Sequence, residues 1–393
     1  MKKIIVFGNM DLPEGSAGAT RCVAFARLAK SCGYEASLLG VNYKGSPVTK
    51  GTYQGIKYEL IDFDELKYTG KKAHCRKRTL KRECLTWFNK NCTKYNTECV
   101  ITYNVKSELS WLINFSRTTD IPLIKDVVEW YDKNNFIGVS GIANFIEDRI
   151  GLYYWNKKCK NIIAISTYFE KFYHKKGCNT VRIPTILDTR LFDSSYDKVK
   201  NCEKIVISYA GSPVKKDYIS NAVRALLLLA EEERQKIQLN IYGVSWEFFE
   251  QNGFTAIEKR LLEDSLTCFG RVSHEEVKQG LRSSDFTILL RPDVRYANAG
   301  FPTKVGESMA AGIPVIANLT SDIGQYLRDG VEGIVCDNES SEACATAFKR
   351  AIDLADEQHK CMRECARRQA QKSFDYRAYK EIFWDFLQKI NEG

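Results

Sequence analysis

The sequence has few of the features that mark membrane-spanning, secreted or zinc-binding proteins. No apolar stretch in its 393 residues reaches the length of a membrane span, and the apolar run after Met1 is too short for a signal peptide. The 14 cysteines are scattered and include no Cys-x-x-Cys pair. Reduced thiols are therefore expected rather than a disulfide framework or a zinc site. We expect a cytoplasmic protein without a bound metal or cofactor.

A dinucleotide-binding fingerprint is also missing. The first loop reads GNMDLPEGSAGATR and lacks the GxGxxG pattern, so a standard dinucleotide site is not expected. Gly15 and Gly18 offer open backbone amides for a looser sugar or phosphate cradle, and a flexible turn is the alternative. The sequence shows neither a short internal repeat nor a low-complexity segment.

The net charge of +9 is concentrated in one segment. Lys71 to Arg82, KKAHCRKRTLKR, carries seven cations and no acid, and Leu85, Trp87 and Phe88 follow it. This order indicates a basic, amphipathic helix on an anionic membrane surface, at the inner face of the membrane, or on a phosphate-bearing acceptor. A solvated helix face is the alternative. Nucleic-acid binding is not expected, because the cations have no interleaved aromatics and no nucleic-acid motif occurs.

Strand and helix patterns alternate from the first residues. KKIIVFG, TRCVAFARLAKSCG and YEASLLGV predict strand, helix and strand. The alternation weakens between Pro184 and Phe192 and starts again at KIVISYAGS. The sequence thus predicts an α/β fold of two doubly wound Rossmann-like domains facing an interdomain cleft, into which the strand ends and their loops project.

The predicted domains are residues 1–188 and 189–370, followed by a C-terminal helix at 371–393. In that helix Tyr379, Ile382, Phe383 and Phe386 recur at helical spacing. The helix is expected to cross back to the N-terminal domain and pack on it.

The segment AGFPTKVGESMAAGIPVIAN, residues 299–318, has the composition of an anion pocket. Gly300 and Phe301-Pro302 form a turn, and Pro302 or Thr303 opens a helix whose first amides are free. Lys304 stands in the first turn, where the helix dipole disfavours a cation unless an anion is near. Glu307 follows one turn later on the same face. A surface Lys–Glu pair in a tightly packed turn is the alternative.

Other cationic loops follow strands of the second domain. AGSPVKKD contains Gly211, Ser212, Lys215 and Lys216, and Arg291 follows the apolar strand DFTILL. We expect Lys216, Arg291 and Lys304 to converge on a diphosphate. In FGRV, the backbone near Arg271 and Val272 can read the edge of a nucleobase.

Together these segments resemble the retaining glycosyltransferases of the two-Rossmann GT-B architecture, specifically the group 1 type of family 4. Glu307 matches the second glutamate of that family's signature, whereas the first position is Ala299. Ser212 replaces the family's arginine, Lys216 matches its lysine, and FPTK resembles a variant found in surface-polysaccharide transferases. In the first domain, Asp126 or Glu129 of LIKDVVEWYD stands where the family has a histidine-aspartate pair.

The resemblance implies a donor site in residues 189–370 and an acceptor site in residues 1–188. Glu307 would hold the ribose hydroxyls of a UDP- or GDP-sugar, and the backbone of Gly300 and Phe301 would face the sugar and phosphate. Lys216, Arg291, Lys304 and the helix amides would stabilise the leaving diphosphate without a metal. The acceptor would be a glycan or lipid-linked polysaccharide precursor near Gly15 to Gly18.

Two other functions fit the same residues. A nucleotide-sugar epimerase of this architecture would isomerise the donor without an acceptor. A non-catalytic nucleotide-sugar-binding subunit would accommodate the departures at Ala299 and Ser212. Fold alone does not separate these functions.

Overall fold

The computed structural model describes residues 1–10, 12, 16–43, 46–63, 73–106, 108–133, 138–192, 204–213 and 216–392. The chain divides into two compact units, Met1–Leu187 together with Asp375–Gly393, and Asp188–Phe374. Each unit contains one sheet with helices packed on both faces. The predicted α/β fold with two doubly wound domains is confirmed.

The first unit has an eight-stranded sheet of order β3-β4-β2-β1-β5-β6-β7-β8. Its strands are β1 (Lys3–Gly8), β2 (Glu35–Asn42), β3 (Lys50–Tyr53), β4 (Ile56–Asp62), β5 (Thr97–Tyr103), β6 (Leu123–Val127), β7 (Asn161–Ala164) and β8 (Asn179–Arg182). Only the edge pair β3–β4 is antiparallel.

The helices of this unit are α1 (Ala17–Ser31), α2 (Ala73–Asn91), α3 (Glu108–Thr119), α4 (Gly138–Ile150), a π-helical turn (Gly151–Trp155), α5 (Asn156–Cys159), α6 (Thr167–His174), a 3-10 turn (Tyr376–Tyr379) and α16 (Lys380–Glu392). Alternation along β1 divides the core, because successive strand side chains point to opposite faces. Ile4 and Val6 pack with α1 and α16, whereas Ile5 and Phe7 pack with α2 and α3.

The C-terminal helix closes the first unit. Phe383, Phe386 and Leu387 of α16 are buried in the core that contains α1, and the rings of Phe25 and Phe383 lie 6.5 Å apart. The predicted return of this helix to the N-terminal domain is confirmed.

The second unit has a six-stranded parallel sheet of order β11-β10-β9-β12-β13-β14. Its strands are β9 (Ile205–Ala210), β10 (Ile237–Tyr242), β11 (Leu266–Gly270), β12 (Phe286–Leu289), β13 (Val315–Asn318) and β14 (Gly333–Cys336). The order reverses at β9 and β12, and in such open sheets the loops at the carboxyl ends of these strands form the ligand crevice.

The helices of this unit are α7 (Ile219–Leu228), α8 (Glu231–Arg234), α9 (Trp246–Gln251), α10 (Ala256–Leu261), α11 (His274–Arg282), α12 (Arg295–Ala299), α13 (Thr303–Ala310), α14 (Ser341–Ile352), α15 (Asp356–Ser373) and 3-10 turns at Thr189–Phe192 and Ile323–Gln325. The chain between Ser341 and Ser373 thus forms two helices rather than one. Throughout the described ranges, no helix combines the length and apolar character needed to cross a membrane.

The basic segment lies in α2, but the apolar side of that helix is not available to a membrane. Leu80, Cys84 and Phe88 are buried in the core of the first unit, and Arg82 pairs with Glu83. Lys71 and Lys72 fall outside the described residues. Contact with lipid through α2 would therefore be electrostatic, without the apolar insertion that the sequence suggested.

Candidate functional site

One buried carboxylate draws two of the predicted cations together in the second unit. Lys304 Nζ lies 2.6 Å from Asp217 Oδ2, and Arg291 Nε lies 2.8 Å from Asp217 Oδ1. Asp217 ends the loop after β9, Arg291 follows β12, and Lys304 lies in the first turn of α13. The cluster therefore forms at the point where the strand order of the sheet reverses.

Tyr209 supports the same cluster from β9. Its hydroxyl donates to Asp217 Oδ2 at 2.8 Å and accepts from Lys304 Nζ at 2.9 Å. The Lys304 ammonium also lies 4.1 Å from the centre of the Tyr209 ring. Lys304 is thus held by three interactions with two side chains.

The cluster carries one excess positive charge. Burial raises the pKa of Asp217, but Lys304 and Arg291 more than offset this effect, so the pKa lies below its usual value and the carboxylate stays ionised. The dipole of α13 disfavours a cation in its first turn unless an anion lies nearby. Asp217 is such an anion.

Lys304 is the most accessible of the three side chains, whereas Arg291 is only 13% exposed. The Lys304 side chain is 31% exposed and the Asp217 side chain only 4%. Ammonium and guanidinium groups each have further N–H donors after one contact to Asp217. The arrangement can bind an incoming anion through the outer side of the cations.

Gly211 makes room for Lys304. It has φ of +146°, and a Cβ at this position would lie 2.5 Å from Lys304 Nζ. Only a residue without a side chain permits both the backbone conformation and the position of the ammonium.

Asn318 fixes the backbone of Arg291. The Arg291 N–H donates to Asn318 Oδ1 at 2.9 Å, and Asn318 Nδ2 donates to the Arg291 carbonyl at 2.7 Å. The end of β12 is thereby joined to the end of β13.

The predicted turn before α13 has its side chains inside the protein and its backbone near the cluster. Phe301 is buried, with its ring 5.5 Å from that of Tyr326 and 5.7 Å from that of Phe374. Pro302 is the N-cap residue of α13, so the helix begins at Thr303 as expected. The carbonyl of Gly300 accepts a hydrogen bond from Ser321.

Glu307 lies one turn after Lys304 but forms no ion pair with it. Burial raises the pKa of Glu307, and Lys304 and His274 partly offset the shift. Among the described residues, no hydrogen bond or ion pair reaches the Glu307 carboxylate. Its oxygens are available to hydroxyl donors of a ligand.

The remaining predicted donor-site residues lie in neighbouring loops. Ser212 is exposed, and Lys216 is half-buried next to Asp217. Arg271 and Val272 follow β11, on the far side of β10 from β9. They precede His274, which partly offsets the raised pKa of Glu307. Ala299 is fully buried, so the family position for a first glutamate has no side chain facing a ligand.

In the first unit, Asp126 is held in a buried ion pair. Arg21 donates to both of its oxygens, at 2.7 and 2.8 Å, and also donates to the carbonyls of Ile183 and Pro184. The space above Gly18 is filled by Tyr103, because a Cβ on Gly18 would lie 2.7 Å from the Tyr103 ring. Gly15 lies outside the described residues.

A small cavity of about 50 Å³ lies at the carboxyl ends of β5 and β6. Burial lowers the pKa of Lys125 to about 8, and its ammonium donates to the Val105 carbonyl at 3.0 Å. The cavity has both cationic and anionic walls, which can hydrogen-bond a hydroxyl group of a ligand. Its charged lining consists of Lys106, Lys125, Asp126, Glu129 and Asp148.

The described residues contain no group of three or more His, Cys, Asp or Glu side chains placed to hold a metal ion. The sequence has an Asp-x-Asp triplet at 62–64, but it belongs to the first unit, and Asp64 lies outside the described residues.

Asp217, Tyr209, Asn318 and His274 were not predicted to belong to the site. An acid directly after two lysines, in the loop that follows a buried strand, was the available signal for Asp217. No comparable signal marks Tyr209 or Asn318, because ordinary strand residues include both types.

Comparison with known proteins agrees with this geometry. Residues 194–369 match the family model described as glycosyl transferases group 1. No curated protein matches the sequence.

Solved structures match the chain over its whole length. Sucrose-phosphate synthase from Thermosynechococcus elongatus has a TM-score of 0.75 at 15% identity, covering 100% of both chains. Anabaena HepE in complex with UDP and glucose has a TM-score of 0.69 at 14% identity, covering 98% of this chain and 99% of its own. WaaG, a glycosyltransferase involved in lipopolysaccharide biosynthesis, has a TM-score of 0.64 at 15% identity, covering 99% of this chain and 100% of its own.

At these identities the structural likeness concerns the fold, whereas the family match concerns the unit that carries the cluster of Asp217, Arg291 and Lys304. Residues 194–369 are similar to the group 1 glycosyl transferases, and the chain as a whole has the GT-B fold.

Proposed function

We propose that this protein transfers a sugar from a nucleoside diphosphate sugar to an acceptor hydroxyl with retention of configuration. The observation that carries the proposal is the cluster of Arg291 and Lys304 around the buried Asp217, with its excess positive charge at the start of α13. A nucleoside diphosphate leaving group has the complementary charge.

The cluster would act mainly on the departing diphosphate. Negative charge grows on the leaving oxygen as the glycosidic bond breaks, and Arg291, Lys304 and Lys216 would stabilise it together with the amide of Thr303. Preorganised cations of this kind contribute most in the transition state. Because Asp217 and Tyr209 already fix Lys304, little reorganisation would be required.

The nucleoside would lie on the Glu307 side of the cluster. The Glu307 carboxylate would accept hydrogen bonds from the two ribose hydroxyls, and the backbone near Arg271 and Val272 would face the base. The sugar would contact the backbone of Gly300 and Phe301. HepE structures contain UDP and UDP-glucose, which favours a UDP-sugar, with a GDP-sugar as the other donor to test.

We further propose that transfer needs no metal ion. Arg291, Lys304 and Lys216 would supply the positive charge that a divalent cation supplies in other sugar transferases. Turnover should therefore persist in EDTA, and activity that disappears with EDTA and returns with Mn²⁺ or Mg²⁺ would contradict this part of the proposal.

The acceptor would bind to the first unit, as a glycan or a lipid-linked polysaccharide precursor. The charged groups around the cavity at the ends of β5 and β6 support this assignment, because they can hydrogen-bond a sugar hydroxyl. Asp126 would act electrostatically, since Arg21 holds both of its oxygens.

Reduced thiols fit a cytoplasmic enzyme, since each described cysteine is free.

The test is a transfer assay with a panel of UDP- and GDP-sugars and glycan acceptors. The product anomer, read by NMR, should match the donor anomer. Lys304→Ala should lower kcat/KM by the equivalent of ~2–4 kcal/mol, whereas Lys278→Ala, an exposed lysine on α11, should leave it unchanged. Full turnover by Lys304→Ala, or isomerised donor without acceptor, would overturn the proposal.

A further inference from the structure

A continuous helical segment of the first unit exposes large apolar side chains to solvent. Ile142, Ile146 and Ile150 of α4 are 62%, 52% and 45% exposed, and their spacing of four residues places them on one face. Tyr153 and Tyr154 in the following π-helical turn are 43% and 50% exposed. Single exposed apolar residues are ordinary, but a contiguous row marks an interaction surface.

The same segment ends in cations. Lys157, Lys158 and Lys160 are exposed directly after the tyrosines. The Lys158 ammonium lies 5.6 Å from the Tyr154 ring, and Lys176 of the neighbouring loop lies 5.3 Å from the Tyr153 ring. None of the exposed side chains described between residues 141 and 160 is acidic.

We propose that this face, defined as the exposed side chains of 142–160 and called the α4–α5 face, docks on an anionic lipid surface. Its aliphatic and aromatic side chains suit the acyl and interfacial layers of a bilayer, and its lysines suit the anionic headgroups. A protein interface fits less well, because lysine is depleted from the centres of such interfaces. Unlike α2, this segment has its apolar side in solvent.

The apolar part of the proposal is tested by flotation with vesicles. The double variant Ile142→Asn/Ile146→Asn should bind phosphatidylcholine–phosphatidylglycerol vesicles at least about tenfold more weakly. Each substitution removes an apolar side chain that would be buried in the lipid. The matched control is Ile257→Asn/Leu261→Asn on α10 of the second unit, where the two side chains are 72% and 52% exposed. The control should bind as the unaltered protein does.

The charged part is tested by salt and lipid composition. Lys157→Gln/Lys158→Gln should weaken binding by about fivefold per lysine at low salt, and the difference should shrink at high salt. Lys50→Gln/Lys94→Gln removes the same charge from side chains that are 70% and 52% exposed elsewhere in the first unit. This control should have the smaller effect, and vesicles of phosphatidylcholine alone should bind weakly.

Thermal unfolding checks that each variant is folded. Absence of binding to anionic vesicles would overturn the proposal, as would equal losses in the face variants and their controls. Binding abolished only by Arg78→Gln/Arg82→Gln would assign the contact to α2 instead. Sedimentation equilibrium that shows a dimer broken by Ile142→Asn/Ile146→Asn would assign the face to a second copy. These experiments measure lipid binding alone, so a negative result would overturn the docking proposal without bearing on sugar transfer.

Discussion

Asp217 decides the geometry of the candidate donor site at the scale of single residues. Its carboxylate contacts Lys304, Arg291 and the Tyr209 hydroxyl, and it is almost completely buried. Two cations without this carboxylate would repel each other at the start of α13. With it, both are fixed and one positive charge remains for a ligand.

We expect Asp217→Asn to destabilise the second unit by ~3 kcal/mol, because removal of one partner leaves buried charge uncompensated. The folded pKa of Asp217 is lowered, so its stabilisation is present above the usual value of 3.8 and is lost as pH falls through the lower folded value. Urea unfolding should therefore separate the variant from the unaltered protein at pH 5 to 8 and not in strong acid. Asp264→Asn, at an exposed aspartate, is the control.

The pKa of Glu307 is shifted in the opposite direction from that of Asp217. Its pKa is raised by burial, so the stability it contributes is complete below the usual value of 4.5 and is lost as pH rises through the folded pKa. Glu307→Gln should therefore be more stable than the unaltered protein at neutral pH and equally stable at low pH.

The same substitution should weaken nucleotide binding by roughly tenfold or more, since a neutral amide with one acceptor oxygen replaces a charged carboxylate with two. Thermal unfolding across pH and calorimetric titration with UDP measure the two effects, with Glu275→Gln, 64% exposed on α11, as the control. A variant that binds UDP normally would remove Glu307 from the site.

The sequence marks Lys304, Arg291 and Glu307 as candidates because each stands in a loop after a strand or in the first turns of a helix. Their partners were not. Spacing along the chain tells which strand ends are near one another, but not which carboxylate neutralises which cation, so the pairing of Lys304 with Asp217 rather than Glu307 required coordinates.

At the scale of elements, the loop after β9 positions Lys304 through Gly211. Gly211→Ala should displace the Lys304 ammonium, because the new Cβ would lie 2.5 Å from Nζ. Gly253→Ala is a close control, since Gly253 also has positive φ, +86°, but a Cβ there meets nothing within 4 Å.

Both variants incur backbone strain, of roughly 1–3 kcal/mol. Only Gly211→Ala should also reduce UDP affinity, by about tenfold, as measured by calorimetry. Equal affinity in the two variants would show that the Lys304 position is not critical.

The presence of amphipathic helices was predictable from apolar periodicity. Whether the apolar face of a helix is buried was not predictable, because that depends on packing. The basic run in α2 indicated an exposed amphipathic helix, but Phe88 and its neighbours fill the core beside Phe7. The apolar row on α4 carries the same kind of sequence signal and is exposed instead. Periodicity identifies an apolar face without telling what covers it.

At the scale of the whole molecule, the two units were predictable because alternation of strands and helices is local in sequence. The return of α16 to the first unit depends on a distant contact, and Phe383 makes it by packing beside Phe25.

Phe383→Ala should destabilise the first unit by ~3–5 kcal/mol, because it leaves a cavity in a buried core. Trp384→Ala, at a neighbouring side chain that is 42% exposed, should cost much less. Differential scanning calorimetry measures both, and equal losses would contradict the packing described for α16.

The central claim is that the second unit binds a nucleoside diphosphate through Arg291, Lys304 and the start of α13. Calorimetric titration of UDP and a UDP-sugar in EDTA, into the unaltered protein, Lys304→Ala and Lys278→Ala, tests it most directly. We predict equal affinity for the unaltered protein and Lys278→Ala, and a loss of at least about tenfold for Lys304→Ala. Unchanged affinity in Lys304→Ala, or no binding of UDP and GDP in any form, would contradict the account.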